Sequence, residues 1–227
     1  MSRRAPRSVA QMDWRFLAAL VLATLVVLAL WSSPLAYPIR LFVTLTHELS
    51  HAAAALVTGG QVLSVSVAPD GSGLTTTRGG NLLLVASAGY LGSVLVGALL
   101  LNLAKRPGAQ RITLQVTAVS ILLTAFLFIR DPFSGAVTLG LAAVLWLLAR
   151  LKPSWPMTFV LCLLAALQCL YAVLDLNGLF ALSLRGRPTD AALMERATGI
   201  PALFWSLLWM AVGGVFLLWV GRRLFSR

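Results

Sequence analysis

The 227 residues are 59% apolar and 11% charged, with a mean hydropathy of +0.89. That balance excludes an ordinary soluble globular domain and describes a polytopic membrane protein. The formal net charge of +11 does not describe a nucleic-acid surface. The 18 Lys and Arg gather at the ends of apolar runs (Arg3, Arg4 and Arg7; Lys105, Arg106 and Arg111; Arg222, Arg223 and Arg227), as headgroup anchors and topology signals do.

Residues 1–15 are basic and polar and read as a cytoplasmic tail, and residues 16–227 read as a single transmembrane domain. Phe16 to Leu30 is a first span bracketed by Trp14 and Trp31, which suit the two interfaces. The Arg-rich start and Ser33-Pro34-Leu35-Ala36 also fit a cleaved signal peptide, but the Trp bracket suits a retained helix better. Pro34 and Pro38 interrupt the chain, and a helix from Ile39 to Thr58 follows, closed by Gly59-Gly60.

That helix carries His47-Glu48-Leu49-Ser50-His51, the pattern H-E-x-x-H. Positions i and i+4 share one helical face, so both imidazoles can reach one metal ion. Zinc accepts neutral His nitrogens and keeps one position open at catalytic sites. Glu48, beside the first His, is placed to take a proton from water and pass it to a leaving amine. The pattern therefore belongs to metal-dependent peptide hydrolysis. Its background is sparse: the chain has only two His, both in the motif, and only two Glu, one of them in it. Ionisable residues set among hydrocarbon-like flanks are costly and point to function.

From Gln61 to Thr77 the pattern changes to alternation, with Val62, Ser64 and Ser66 against Leu63, Val65 and Val67. Pro69-Asp70-Gly71-Ser72-Gly73 supplies a turn, so residues 61–77 predict a β-hairpin directly after the metal helix. A strand edge here, at Val65 and Val67, could hold an extended substrate by strand addition. Further spans are predicted at Asn81 to Ala104, Ile112 to Ile129, Ala136 to Ala149, Met157 to about Leu184, and Pro201 to Val220. Small residues in Ala88-Gly89-Tyr90-Leu91-Gly92 suit close helix contact. The predicted fold is all-α with six or seven transmembrane helices and one short hairpin. The N-terminus is placed in the cytoplasm. Cys162 and Cys169 stand about 10 Å apart along one helix, too far for a disulfide, and read as inert buried thiols.

A catalytic zinc usually takes three protein ligands, and no third His exists. A carboxylate must serve. Asp175 is favoured because it sits in a long apolar run at the Asn177-Gly178 interruption, where a metal would offset its cost. Asp190 is the second candidate, since Thr189-Asp190 before Ala191-Ala192-Leu193 also reads as a helix N-cap. Asn177 could orient a ligand or an oxyanion.

Taken together, His47-Glu48-Leu49-Ser50-His51-Ala52, Gly59-Gly60, the Pro69 to Gly73 turn, Ala88-Gly89-Tyr90-Leu91-Gly92 and a late Asp resemble the site-2-protease family of intramembrane zinc metalloproteases. The chain looks closest to the small bacterial membrane-bound subgroup, and residues 39–104 carry most of the likeness. The resemblance implies a helical bundle in the bacterial plasma membrane. It implies zinc (Zn2+) held by His47, His51 and a distant Asp, with Glu48 as base. It also implies membrane-protein substrates cut in or near their own transmembrane helix. The substrate-positioning Gly-Pro-x-x-Asn element of better-known members corresponds here to Gly89-Tyr90, which makes Gly89 a substrate-contact candidate. The late motif, usually Leu-Asp-Gly or Asn-Pro-Asp-Gly, is here Leu174-Asp175-Leu176-Asn177-Gly178. Two other functions fit the composition: a catalytically silent relative that binds membrane proteins, and a metal-ion transporter. Scarce intramembrane acids count against transport.

Overall fold

A computed structural model describes residues 14–31, 33–106, 108–152, 154–184 and 189–225, with the side chains of 172–184 and 225 outside the description. The described chain is mostly helical. Helices α1 (Trp14–Leu30) and α2 (Tyr37–Val57) precede a hairpin of β1 (Gln61–Val67) and β2 (Gly73–Arg78). Then come α3 (Leu82–Ala104), α4 (Ala109–Phe128), α5 (Pro132–Leu148), α6 (Trp155–Leu184), α7 (Asp190–Thr198) and α8 (Ala202–Phe225).

Local chemistry sets most of these boundaries. Asn81 caps α3 by accepting from the Leu84 N–H, and Asp131 caps α5 by accepting from Ser134 N–H at 2.8 Å. Asp131 therefore serves its own helix, while Arg130 turns to the carbonyls of Leu127 and Ile129. Residues 189–196, polar in sequence, hold the start of a helix: Thr189 caps α7, and Gly199 closes it in the left-handed region at φ 73°.

Among the described residues, α3, α4 and the Ala202–Leu224 stretch of α8 are long and apolar enough to cross a membrane. Helices α1 and α5 are apolar but shorter, and the fully described part of α6, Trp155–Tyr171, is apolar as well. Of the six or seven spans expected, three are long and apolar enough among the described residues. Helix α2 falls outside that set; it carries Arg40 and the polar motif. It packs against α3, α6 and the hairpin, with Phe42, Val43 and Leu45 fully buried. Gly92 of α3 lies so close to Ser50 of α2 that a Cβ there would overlap the hydroxyl, the close approach that small residues permit.

The hairpin is antiparallel, pairing Val65 with Thr75 and Val67 with Gly73, with a bulge that leaves Leu63 without an opposite residue. Its turn closes with Ala68 N–H donating to Ser72 O (2.7 Å) and Gly71 N–H donating to Ala68 O (2.9 Å). Two α2 side chains pin it: Thr44 donates to Gly71 O at 2.9 Å and Tyr37 to Pro69 O at 2.8 Å. The hairpin is therefore mounted on the motif helix.

Candidate metal centre

Three elements meet at the motif. His47 and His51 project from one face of α2, and Asp190 reaches them from the first turn of α7, 143 residues beyond His47. Asp190 Oδ2 lies 3.1 Å from His47 Nε2 and 3.3 Å from His51 Nε2. Donor atoms bound about 2.0–2.1 Å from a tetrahedral zinc sit roughly 3.3 Å from one another, so these two separations match edges of such a site, and all three donor atoms lie within 4.8 Å of one another.

The donor chemistry makes the same point. His51 Nδ1 is 2.6 Å from the Val85 carbonyl. A carbonyl only accepts, so Nδ1 carries the proton and the neutral ring turns a lone pair at Nε2 towards Asp190. A carboxylate and an imidazole lone pair facing each other repel unless a cation, a proton or a metal ion, lies between them. A backbone acceptor behind the distal nitrogen is also the usual outer-shell support of a metal-binding His. Two imidazole nitrogens and one carboxylate oxygen are a donor set that zinc accepts, so His47, His51 and Asp190 could hold it.

The surroundings hold the rings in place. Gly89 of α3 lies against them, and a Cβ at that position would overlap His47 Nε2 and His51 Nε2. The Tyr90 ring meets His47 edge-on with centroids 4.9 Å apart and stacks on Trp209 at 5.3 Å. The Trp209 indole N–H donates to Ser87 Oγ at 3.0 Å, so α8 and α3 buttress His47 together.

Glu48 points to a different neighbour. It is 6% exposed, and the Thr75 hydroxyl of β2 lies 2.7 Å from its Oε2. Gly73 passes so close that a Cβ would overlap the Glu48 carboxylate. Glu48 is thus held between the imidazoles and β2, and a cavity of about 410 Å³ opens over His47, Glu48, His51 and Asp190 between β2 and α7.

The structure places the remaining candidates as follows. Val65 and Val67 lie in the core, 0% and 3% exposed, and the strand lining the cavity is β2 through Gly73, Thr75 and Thr77. On β1 the outward groups of Val67 are already used: its N–H donates to Ser134 Oγ (2.9 Å), which donates back to Val67 O (3.1 Å). Asp175 and Asn177 fall where the side chains of α6 lie outside the described residues. Among the described residues, the carboxylate brought to the two His is Asp190. The helix start at Thr189-Asp190 was a signal for it, but one that pointed first to capping.

A family model described as Peptidase M50B-like matches residues 18–220. No curated protein and no solved structure matches the chain. With His47, His51 and Asp190 gathered under a cavity, and with that match spanning most of its length, the chain belongs to the Peptidase M50B-like family, in keeping with its resemblance to the site-2 proteases.

Proposed function

We propose that the protein is a zinc-dependent intramembrane endopeptidase that cuts membrane proteins in or near their transmembrane segments. His47, His51 and Asp190 would hold the zinc, and Glu48 would be the general base. The observation that carries this reading is the convergence of Asp190 Oδ2 on both Nε2 atoms, at 3.1 and 3.3 Å. Zinc bound there would supply Lewis acidity, lowering the pKa of an adjacent water and polarising a peptide carbonyl. Glu48 would take the proton from that water and return it to the leaving amine. The Thr75 hydroxyl would hold one oxygen of the base and leave the other for that exchange.

The hairpin supports a way of presenting the substrate. Residue pairs in an antiparallel ladder alternate between exchanging hydrogen bonds and pointing them outward. The Ala68–Ser72 bond and the Ser134 clamp on Val67 set the phase, which turns the N–H and C=O groups of Gly73 and Thr75 to the open edge of β2. A helical amide is shielded by its own hydrogen bonds, so a substrate helix must unwind locally before attack. An unwound stretch adding to β2 would recover those bonds beside Glu48.

A transport reading finds little support. The described acids away from the centre, Asp70, Asp131 and Glu195, serve turns and helix ends rather than a path through the bundle. The test of the peptidase reading is Glu48→Gln. This variant is expected to bind one equivalent of zinc by elemental analysis and to cleave nothing. Substrates are then the membrane proteins whose fragments vanish from cells carrying it. Cleavage at the parental rate by Glu48→Gln would overturn the role of Glu48, and a parental protein without zinc would overturn the whole reading.

A further inference from the structure

The cavity over the metal centre has one cationic wall. Thr189, Ala192, Leu193 and Arg196 stand at i, i+3, i+4 and i+7, so the N-cap and one stripe of α7 face the cavity, with β2 on the other side. Arg196 is the one Lys or Arg among the described residues that line it. Among those residues no hydrogen bond, ion pair or ring contact holds its guanidinium, and the acids are committed elsewhere. Asp190 faces the imidazoles, Glu48 engages Thr75, and Glu195 accepts from the Ala202 N–H. A cation in the last turn of a helix is favoured by the helix dipole. That accounts for a charge in this turn but not for its place on the cavity stripe.

We propose that Arg196 is a specificity-determining residue that binds an Asp or Glu side chain of the substrate about three residues from the bond to be cut. This rests on the peptidase reading above. The spacing follows from two rises. Six residues of helix separate Asp190 from Arg196, about 9 Å, and an extended peptide covers about 3.3 Å per residue. The charge is then placed unevenly along the cavity: Arg196 attracts a substrate acid at the end away from the metal ligands. Opposed charges of this kind select a register. The guanidinium fork matches a carboxylate in two parallel hydrogen bonds, which a Lys would not reproduce.

The experiment uses full-length protein carrying Glu48→Gln in phosphatidylcholine nanodiscs, so that binding is read without cleavage. The probes are labelled apolar peptides identical but for one position, occupied by Asp, Asn or Lys and walked along the sequence. At one register Asp is expected to bind about tenfold more tightly than Asn. Arg196→Gln should level the two, and Arg196→Glu should turn the preference to Lys. With the parental protein, the cut should fall about three residues from the preferred acid. No acid preference at any register, or one that survives Arg196→Glu, overturns the proposal. So does a loss in Arg196→Gln that is equal for all peptides and confined to discs containing phosphatidylglycerol, since that describes a headgroup anchor. Acid-selective binding through Arg196 with no cleavage of any peptide would leave the contact standing and remove the peptidase reading, which separates the two failures.

Discussion

Thr189 and Asp190 are adjacent, both can cap a helix, and the structure divides the work between them. Thr189 Oγ1 accepts from the Ala192 N–H at 3.1 Å, which leaves the Asp190 carboxylate free to reach α2. The two substitutions should therefore separate cleanly. Thr189→Ala should cost about 1 kcal/mol of helix stability and keep the metal. Asp190→Ala should lower zinc affinity by more than roughly a hundredfold, since losing a mere outer-shell partner already costs 10–100-fold. Competition with a chromophoric chelator measures both. Asp175→Asn should bind zinc as the parental protein does, and a metal-free Asp175→Asn would return the third ligand to α6. Gly89 allows a second prediction at this scale. Alanine is the better helix former by about 0.5–1 kcal/mol, so Gly89→Ala should favour α3 as a helix. Its Cβ would nevertheless displace both imidazoles. Elemental analysis should find Gly89→Ala helical, inserted and free of zinc.

At the scale of elements, the hairpin decides how a substrate can be held, and here sequence and structure part. The i, i+4 spacing of the two His, the turn at Pro69 to Gly73 and the helix start at Thr189-Asp190 are all local, and all were legible in the chain. Alternation along Gln61 to Val67 is local too, but it does not say which edge stays open. One determinant is Ser134, 67 residues beyond Val67, which occupies the outward N–H and C=O of Val67 on β1. The third ligand escaped first ranking for a related reason. Thr189-Asp190 looks like a cap at short range, and only the docking of α7 beside α2 turns one of the pair into a donor for metal. The count of spans was blurred because α1 and α5 are apolar but only 17 residues each. The open edge yields its own prediction. In a bound peptide, N-methylation should weaken binding at alternate residues, those whose N–H meets Gly73 or Thr75, and be tolerated between them. A uniform response along the peptide, read by anisotropy with the Glu48→Gln protein, would mean that no strand is added.

At the scale of the whole molecule, the centre is a tie between parts that are otherwise loosely related. Helix α7 has nine residues, too few to hold a helix alone in water, and its buried contacts are chiefly Ala191 and Met194 against α3 and α8. A metal ion shared by His47, His51 and Asp190 would join it to the interior helix across 143 residues of chain. Any ligand that binds only the assembled site stabilises it by mass action, about 2.7 kcal/mol when free zinc is a hundred times its dissociation constant. That corresponds to roughly a hundredfold slowing of local opening. Hydrogen exchange followed by mass spectrometry should locate the effect. Chelation should speed exchange in α7 by up to about that factor, while the buried α3 and α6 cores change little. Zinc should restore protection and magnesium should not, because a hard cation prefers oxygen ligands. Asp190→Ala should exchange as the chelated protein does and ignore the chelator. Equal exchange in α7 with and without zinc would mean that the two helices are not bridged by metal, and that the approach of Asp190 to the imidazoles is held by a shared proton instead.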